Sequence, residues 1–189
     1  MRGSKRSWMG RRVLKALSRD KRGVTAVEFA LLAPVFFAMI LSLFEIGILF
    51  TRIAMVDHAV NVVSKLVYTG KVTEGVAAGT YSQSDIEAAV CDVTGVVIPN
   101  CESEITVELT EIAALSSLPE SDAACQDSTV ELTPTVSFSP GAANSVVFMR
   151  VCLTVDLMTP GLGFGLKLTK TSNDRYELIS SVAFLNEPF

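Results

Sequence analysis

Val24–Phe50 reads VTAVEFALLAPVFFAMILSLFEIGILF, and its only charges are Glu28 and Glu45. A helix crossing the hydrocarbon core of a bilayer needs about 20 mostly apolar residues, and this stretch supplies that length. Phe29–Phe44 runs without any charge. Core helices of soluble proteins rarely run this long without a polar face, so the segment reads as a single membrane span.

The charges on either side of it are segregated. The 189-residue chain has a formal net charge of −4, with 49% hydrophobic and 19% charged residues and a mean hydropathy of +0.42. Residues 1–23 hold nine Lys/Arg against Asp20, a net +8, which leaves seven basic and nineteen acidic residues beyond them, a net −12. A basic arm before an apolar span stays cytoplasmic under the positive-inside rule, which sends everything after about residue 50 across the membrane. A cleaved secretory signal would need a small-x-small site after the apolar run, whereas the run ends FEIGILFTR. GRRVLK (Gly10–Lys15) hints at a twin-arginine signal, but SRDKRG intervenes before the hydrophobic core begins.

On the far side the helical pattern continues. Ile46, Leu49, Ile53, Val56, Val60, Val63 and Val67 recur at spacings of three and four, a stripe along one helix face, with Arg52, Asp57, Asn61, Ser64 and Lys65 on other faces. His58 lies off the stripe as an exposed residue, and Gly70 marks a stop. A helix over 24–69 is about 70 Å long at 1.5 Å per residue. Its stripe suits either the chain's own globular domain or neighbouring helices in an assembly. Gly75–Thr80 reads as a mobile connector. Ser84-Asp85-Ile86-Glu87 reads as a capping box that opens a short helix to about Thr94.

After Cys101 the period changes to two. Ile105, Val107 and Leu109 alternate with polar residues, as do Val130/Leu132, Val136/Phe138 and Val151/Leu153/Val155/Leu157, and Leu166/Leu168 and Leu178–Phe184 complete about five or six strands. Pro140-Gly141, Pro160-Gly161 and Asn173-Asp174 supply turns. The fold class expected is α+β: a long membrane-spanning N-terminal helix, then a small antiparallel β-rich domain over 70–189. Cys91, Cys101, Cys125 and Cys152 all fall beyond the membrane, where four cysteines read as two disulfides with three possible connectivities. Cys91–Cys101 with Cys125–Cys152 is favoured, because sequence neighbours meet most easily.

The junction Lys21–Phe29, KRGVTAVEF, resembles the type IV prepilin signal, in which an inner-membrane prepilin peptidase cuts after the glycine. The resemblance implies a leader over 1–23, cleavage between Gly23 and Val24, and a mature chain of 166 residues in which Glu28 and Phe29 are the fifth and sixth. In pilins the equivalent Glu meets the N-terminal amine of a neighbouring subunit. Physically, a carboxylate near the end of a span is expensive unless paired or snorkelling. The alternative is a Glu28 merely solvated at the cytoplasmic interface.

Arg22–Phe50 is also similar to the N-terminal domain of TadE/TadF/TadG-like proteins of tight-adherence (Flp) pilus systems, through Gly23, Val27–Ala30, Pro34 and Glu45–Gly47. The ending AFLNEPF (Ala183–Phe189) resembles that of TadE-like proteins. Pro34 removes one helical hydrogen bond and should bend the span. Glu45 lies about 25 Å along the helix from Glu28, at the opposite interface, where solvation and a role in assembly are both open.

The resemblance implies a minor pseudopilin acting in pilus biogenesis and adherence. It would sit in the bacterial inner membrane with its C-terminal domain periplasmic, and partner the prepilin peptidase, other pilin subunits and the inner-membrane platform. The alternative is an uncleaved, membrane-anchored periplasmic scaffold or binding protein. The sequence holds no Walker-type loop, nucleophile elbow or Asp/Glu–His constellation. GLGFG (Gly161–Gly165) follows Pro160 and is too short for a phosphate cradle, and a zinc site is poorly supported by one His and no C-x-x-C. No catalysis, cofactor, metal, nucleic acid or small-molecule substrate is therefore expected.

Overall fold

A computed structural model describes residues 23–112, 137–170 and 174–188. The chain divides into two compact units, Met1–Leu41 and Ser42–Phe189. Helix α1, Val24–Tyr68, runs unbroken through Pro34. It is long and apolar enough to cross a membrane, and only 6% of its most apolar eighteen-residue window is buried. A soluble core helix would be mostly covered. In lipid, a helix satisfies its own backbone polar groups, and the exposed Leu31, Leu32, Val35 and Phe36 of the first unit suit that solvent.

The second unit begins within α1. Leu49, Val56, Val60, Val63 and Val67 are buried and join one core cluster with the sheet residues Val107, Leu109, Met149 and Val151. The stripe thus packs on the chain's own domain. It differs from the periodic reading in three of the positions read: Ile46 is half-buried, Ile53 is exposed, and Ser64 is buried, its hydroxyl donating to Asn61 O. The helix stops where Gly70 adopts φ 77°, a left-handed conformation open to a residue without Cβ. There Gly70 N–H donates to Val67 O at 3.0 Å.

Three short helices follow: α2 (Lys71–Ala77), α3 (Gln83–Thr94) and α4 (Cys101–Glu104). The expected mobile connector is therefore partly helical. Gly75 lies against the Tyr81 ring so closely that a Cβ would come within 2.1 Å of it, so its small size serves packing. The cap of α3 is Ser82, not Ser84. Asp85 accepts the Ser82 backbone N–H at 2.7 Å, which holds this carboxyl below its ordinary pKa, the Ser82 hydroxyl and backbone bonds being the causes. Glu87, expected to close the box, instead accepts from Gln83 Nε2 and from Val107 N–H of the sheet.

Strands β1 (Ile105–Ile112), β2 (Val146–Asp156) and β3 (Arg175–Leu185) form one antiparallel sheet in the order β1-β2-β3. The register pairs Ile105 with Leu153 and Asp156 with Arg175. Among the described residues these are the three strands, fewer than the five or six expected. Val130, Leu132 and Val136 lie outside the described residues, and Phe138 makes an isolated parallel bridge to Leu109. Leu166/Leu168 is not a strand: Gly163–Leu166 is a 3-10 turn in the β2–β3 connection. Leu166 is exposed at the end of this turn, while Leu168, just beyond it, packs against the core, so the two residues do not belong to one extended run.

The architecture is α+β, a long apolar helix followed by a small antiparallel sheet. Cys91 and Cys101 are bonded, with Cα atoms 5.6 Å apart, and tie α3 to α4. Closing a loop of this size contributes about 3 kcal/mol in the chain-entropy account. Cys152 is also disulfide-bonded, while Cys125 lies outside the described residues.

Candidate functional site

Gly23, Val24, Glu28 and Phe29 open α1, all on exposed surface. A Cβ at Gly23 would meet nothing within 4 Å, so the folded chain itself places no demand for glycine there. Glu28 has no hydrogen-bond or ion-pair partner among the described residues. Pro34 is likewise exposed within the helix. These residues share one helical segment, and the structure brings no other element to them among the described residues.

Glu45 is different. It is 1% exposed, which overturns the solvated-interface reading. Oε1 accepts the Met158 N–H at 3.0 Å, while Oε2 accepts the Thr159 N–H at 2.8 Å and the Thr159 hydroxyl at 3.0 Å. A buried carboxyl is tolerable because convergent donors replace its lost water. One turn away, Ser42 Oγ accepts the Phe164 N–H at 3.1 Å. Further along, Arg52 donates to Asp156 O at 2.9 Å and to Val97 O at 3.2 Å.

Ser42, Glu45, Leu49, Arg52 and Val56 step by three and four. The polar members thus continue the apolar stripe and grip the backbone that leaves β2. Ser42 and Arg52 escape a reading based on apolar periodicity. The periodic reading places Arg52 on another face, because the apolar residues Ile46 and Ile53 draw the stripe one position away from the face that Glu45 and Arg52 occupy.

The C-terminal residues make a second staple. Asn186 is 1% exposed, and its Nδ2 donates to Pro140 O at 2.9 Å and Ala142 O at 3.2 Å. Its backbone exchanges bonds with Ser145 O and Asn144 N, and the Glu187 N–H donates to Tyr68 O at 3.1 Å. Hydrogen bonding and charge from Glu187 push the Tyr68 phenol upward. The resemblance at the chain end thus falls on residues that lock it to the last turn of α1.

At the opposite end of the sheet, Arg175 bridges Glu104 Oε2 at 2.5 Å and Asp156 Oδ1 at 2.9 Å, and Thr154 Oγ1 donates to Glu104 at 2.7 Å. This cluster edges an open depression of about 680 Å³ beside the Cys91–Cys101 disulfide. Burial pushes the Glu104 carboxyl up, but the Thr154 and Arg175 hydrogen bonds and the Arg175 charge outweigh it and hold it below its usual range. A depressed pKa stabilises the fold above the unfolded-state value and is lost as pH falls through the folded one. Glu104→Gln should therefore narrow the stability difference between pH 7 and pH 3 in denaturant titrations. An unchanged difference would count against the linkage.

Residues 23–64 match the family model described as TadE-like protein. The similarity to TadE-like proteins begins at Gly23 and covers most of α1, and the AFLNEPF ending lies outside it. No curated protein and no solved structure matches the chain.

Proposed function

We propose that the chain is a minor pseudopilin of a tight-adherence pilus system, cut by a prepilin peptidase between Gly23 and Val24. The observation that carries this reading is the TadE-like match, which starts at the glycine of the cleavage motif and runs along an exposed apolar helix. Two features support it. Gly23 answers no steric need of the fold, so an extended backbone entering a protease cleft gives it a reason. Glu28 lies one turn into the span without a partner among the described residues, and a new α-ammonium on a neighbouring subunit would provide one.

In this reading the basic arm faces the cytoplasm, the α+β unit is periplasmic, and the protein works through subunit contacts and not through catalysis. Glu28 and Pro34 remain available to neighbours. Glu45 acts within its own chain by holding the folded unit to the helix.

Mass spectrometry of protein extracted from membranes should find Val24 as the N-terminus and a chain of 166 residues. Recovery of intact residues 1–23 from cells with an active prepilin peptidase would instead leave an uncleaved anchored scaffold. Glu28→Ala should still be cleaved yet lose piliation by electron microscopy, and normal pili on that variant would remove Glu28 from assembly.

A further inference from the structure

The β2–β3 connection carries a cluster of apolar side chains facing away from the core: Met158, Leu162 and Leu166 are 58%, 47% and 60% exposed. The loop holding them is built firmly. Leu157 is buried, and Phe164 and Leu168 pack against the core. Gly165 sits so close to the Thr159 carbonyl that a Cβ would come within 2.1 Å of it. Leu162 N–H bonds to Thr159 O, Lys167 N–H to Phe164 O, and the Lys170 ammonium to Pro160 O. The exposed residues are therefore held outward by a closed turn.

The place of this turn in the fold says what covers it. It is fastened to α1 at Ser42 and Glu45. Glu45 stands near the far end of the apolar run that opens at Val24, and about 20 mostly apolar residues cross a hydrocarbon core. Leu43 and Phe44, on the same turn of α1 as these fastenings, are also exposed. The loop's exposed apolar residues are thus tied to α1 where its apolar run nears its end. Exposed Lys167 adds the cation that favours a membrane–water boundary.

We infer that Met158, Leu162 and Leu166 dip into the leaflet on the side of the folded unit, forming a second, shallow membrane contact beside the span. Glu45 then serves as the fastener that sets the depth of this contact. The inference rests on the membrane-crossing reading of α1.

Single-tryptophan variants of the full chain test it, in a Trp8→Phe background that removes the one native tryptophan. Phe36→Trp reports the span, Leu162→Trp and Leu166→Trp the loop, and Leu185→Trp the far end of the sheet. Each is reconstituted in phosphatidylcholine–phosphatidylglycerol vesicles, with and without lipid brominated high on the acyl chain. The loop reporters should lose half or more of their emission to bromine and shift to shorter wavelength, with Leu185→Trp unchanged. Quenching of Phe36→Trp without the loop reporters overturns the loop contact alone. A failure of Phe36→Trp as well overturns the span reading and the loop contact together. Loop quenching that appears only on dilution of protein in lipid assigns the patch to a second copy of the chain, and so also overturns the inference.

Discussion

Glu45→Ala is expected to lower the unfolding free energy of the Ser42–Phe189 unit by about 3 kcal/mol. The substitution removes the acceptors of the Met158 and Thr159 amides from a site 1% exposed. Each buried donor left unsatisfied costs about 1–3 kcal/mol. The Thr159 hydroxyl can rotate to another partner, so the two amides set the scale. Urea titration of the detergent-solubilised chain, followed by near-ultraviolet circular dichroism, measures the loss. Glu45→Gln keeps one acceptor oxygen but turns an amide NH2 toward the other donors, and should recover about half. Trypsin should also cut faster at Lys167 in the alanine variant, because the loop would be released from α1. A Glu45→Ala chain within about 0.5 kcal/mol of the original, near the spread of ordinary surface substitutions, would mean that the fastening contributes little.

Asn186 gives the second large effect, with a defined order. Asn186→Ala removes two donated bonds and strands the Pro140 and Ala142 carbonyls, at a cost of about 2 kcal/mol. Asn186→Asp is nearly the same shape, but at neutral pH it points a charged oxygen at both carbonyls in a site 1% exposed. Asn186 Oδ1 has no hydrogen-bond partner among the described residues, so neither oxygen of the aspartate gains a donor there. An unpaired buried charge costs several kcal/mol, so the aspartate variant should be the less stable of the two. Denaturation midpoints in the reverse order would show that Asn186 acts by filling space and not by donating.

Much of the fold is legible in local pattern. The 45-residue helix, its stop at Gly70 and the alternating strands β1, β2 and β3 follow from periods of 3.6 and 2, which belong to the chain itself. The apolar run long enough to cross a membrane is legible for the same reason, its residues being contiguous. Local pattern misleads where two readings share the same letters. Ser82 and Ser84 both suit a cap, and the helix starts at the one whose backbone Asp85 reaches. Leu166 and Leu168 alternate as a strand would, yet Gly165 against Thr159 closes a turn there.

By itself, then, the sequence determined the apolar helix, its charge asymmetry and the strand periodicity, because each depends on residues near one another in the chain. Only the tertiary structure decided what the polar residues on that helix do. Glu45 and Met158 are 113 residues apart, and Arg52 and Asp156 are 104 apart. In sequence, Glu45 is simply an acid near the end of a long apolar run. In the folded chain its carboxyl is buried and satisfied by two backbone amides and a hydroxyl, a partnership that arises only when the loop after β2 returns to the helix.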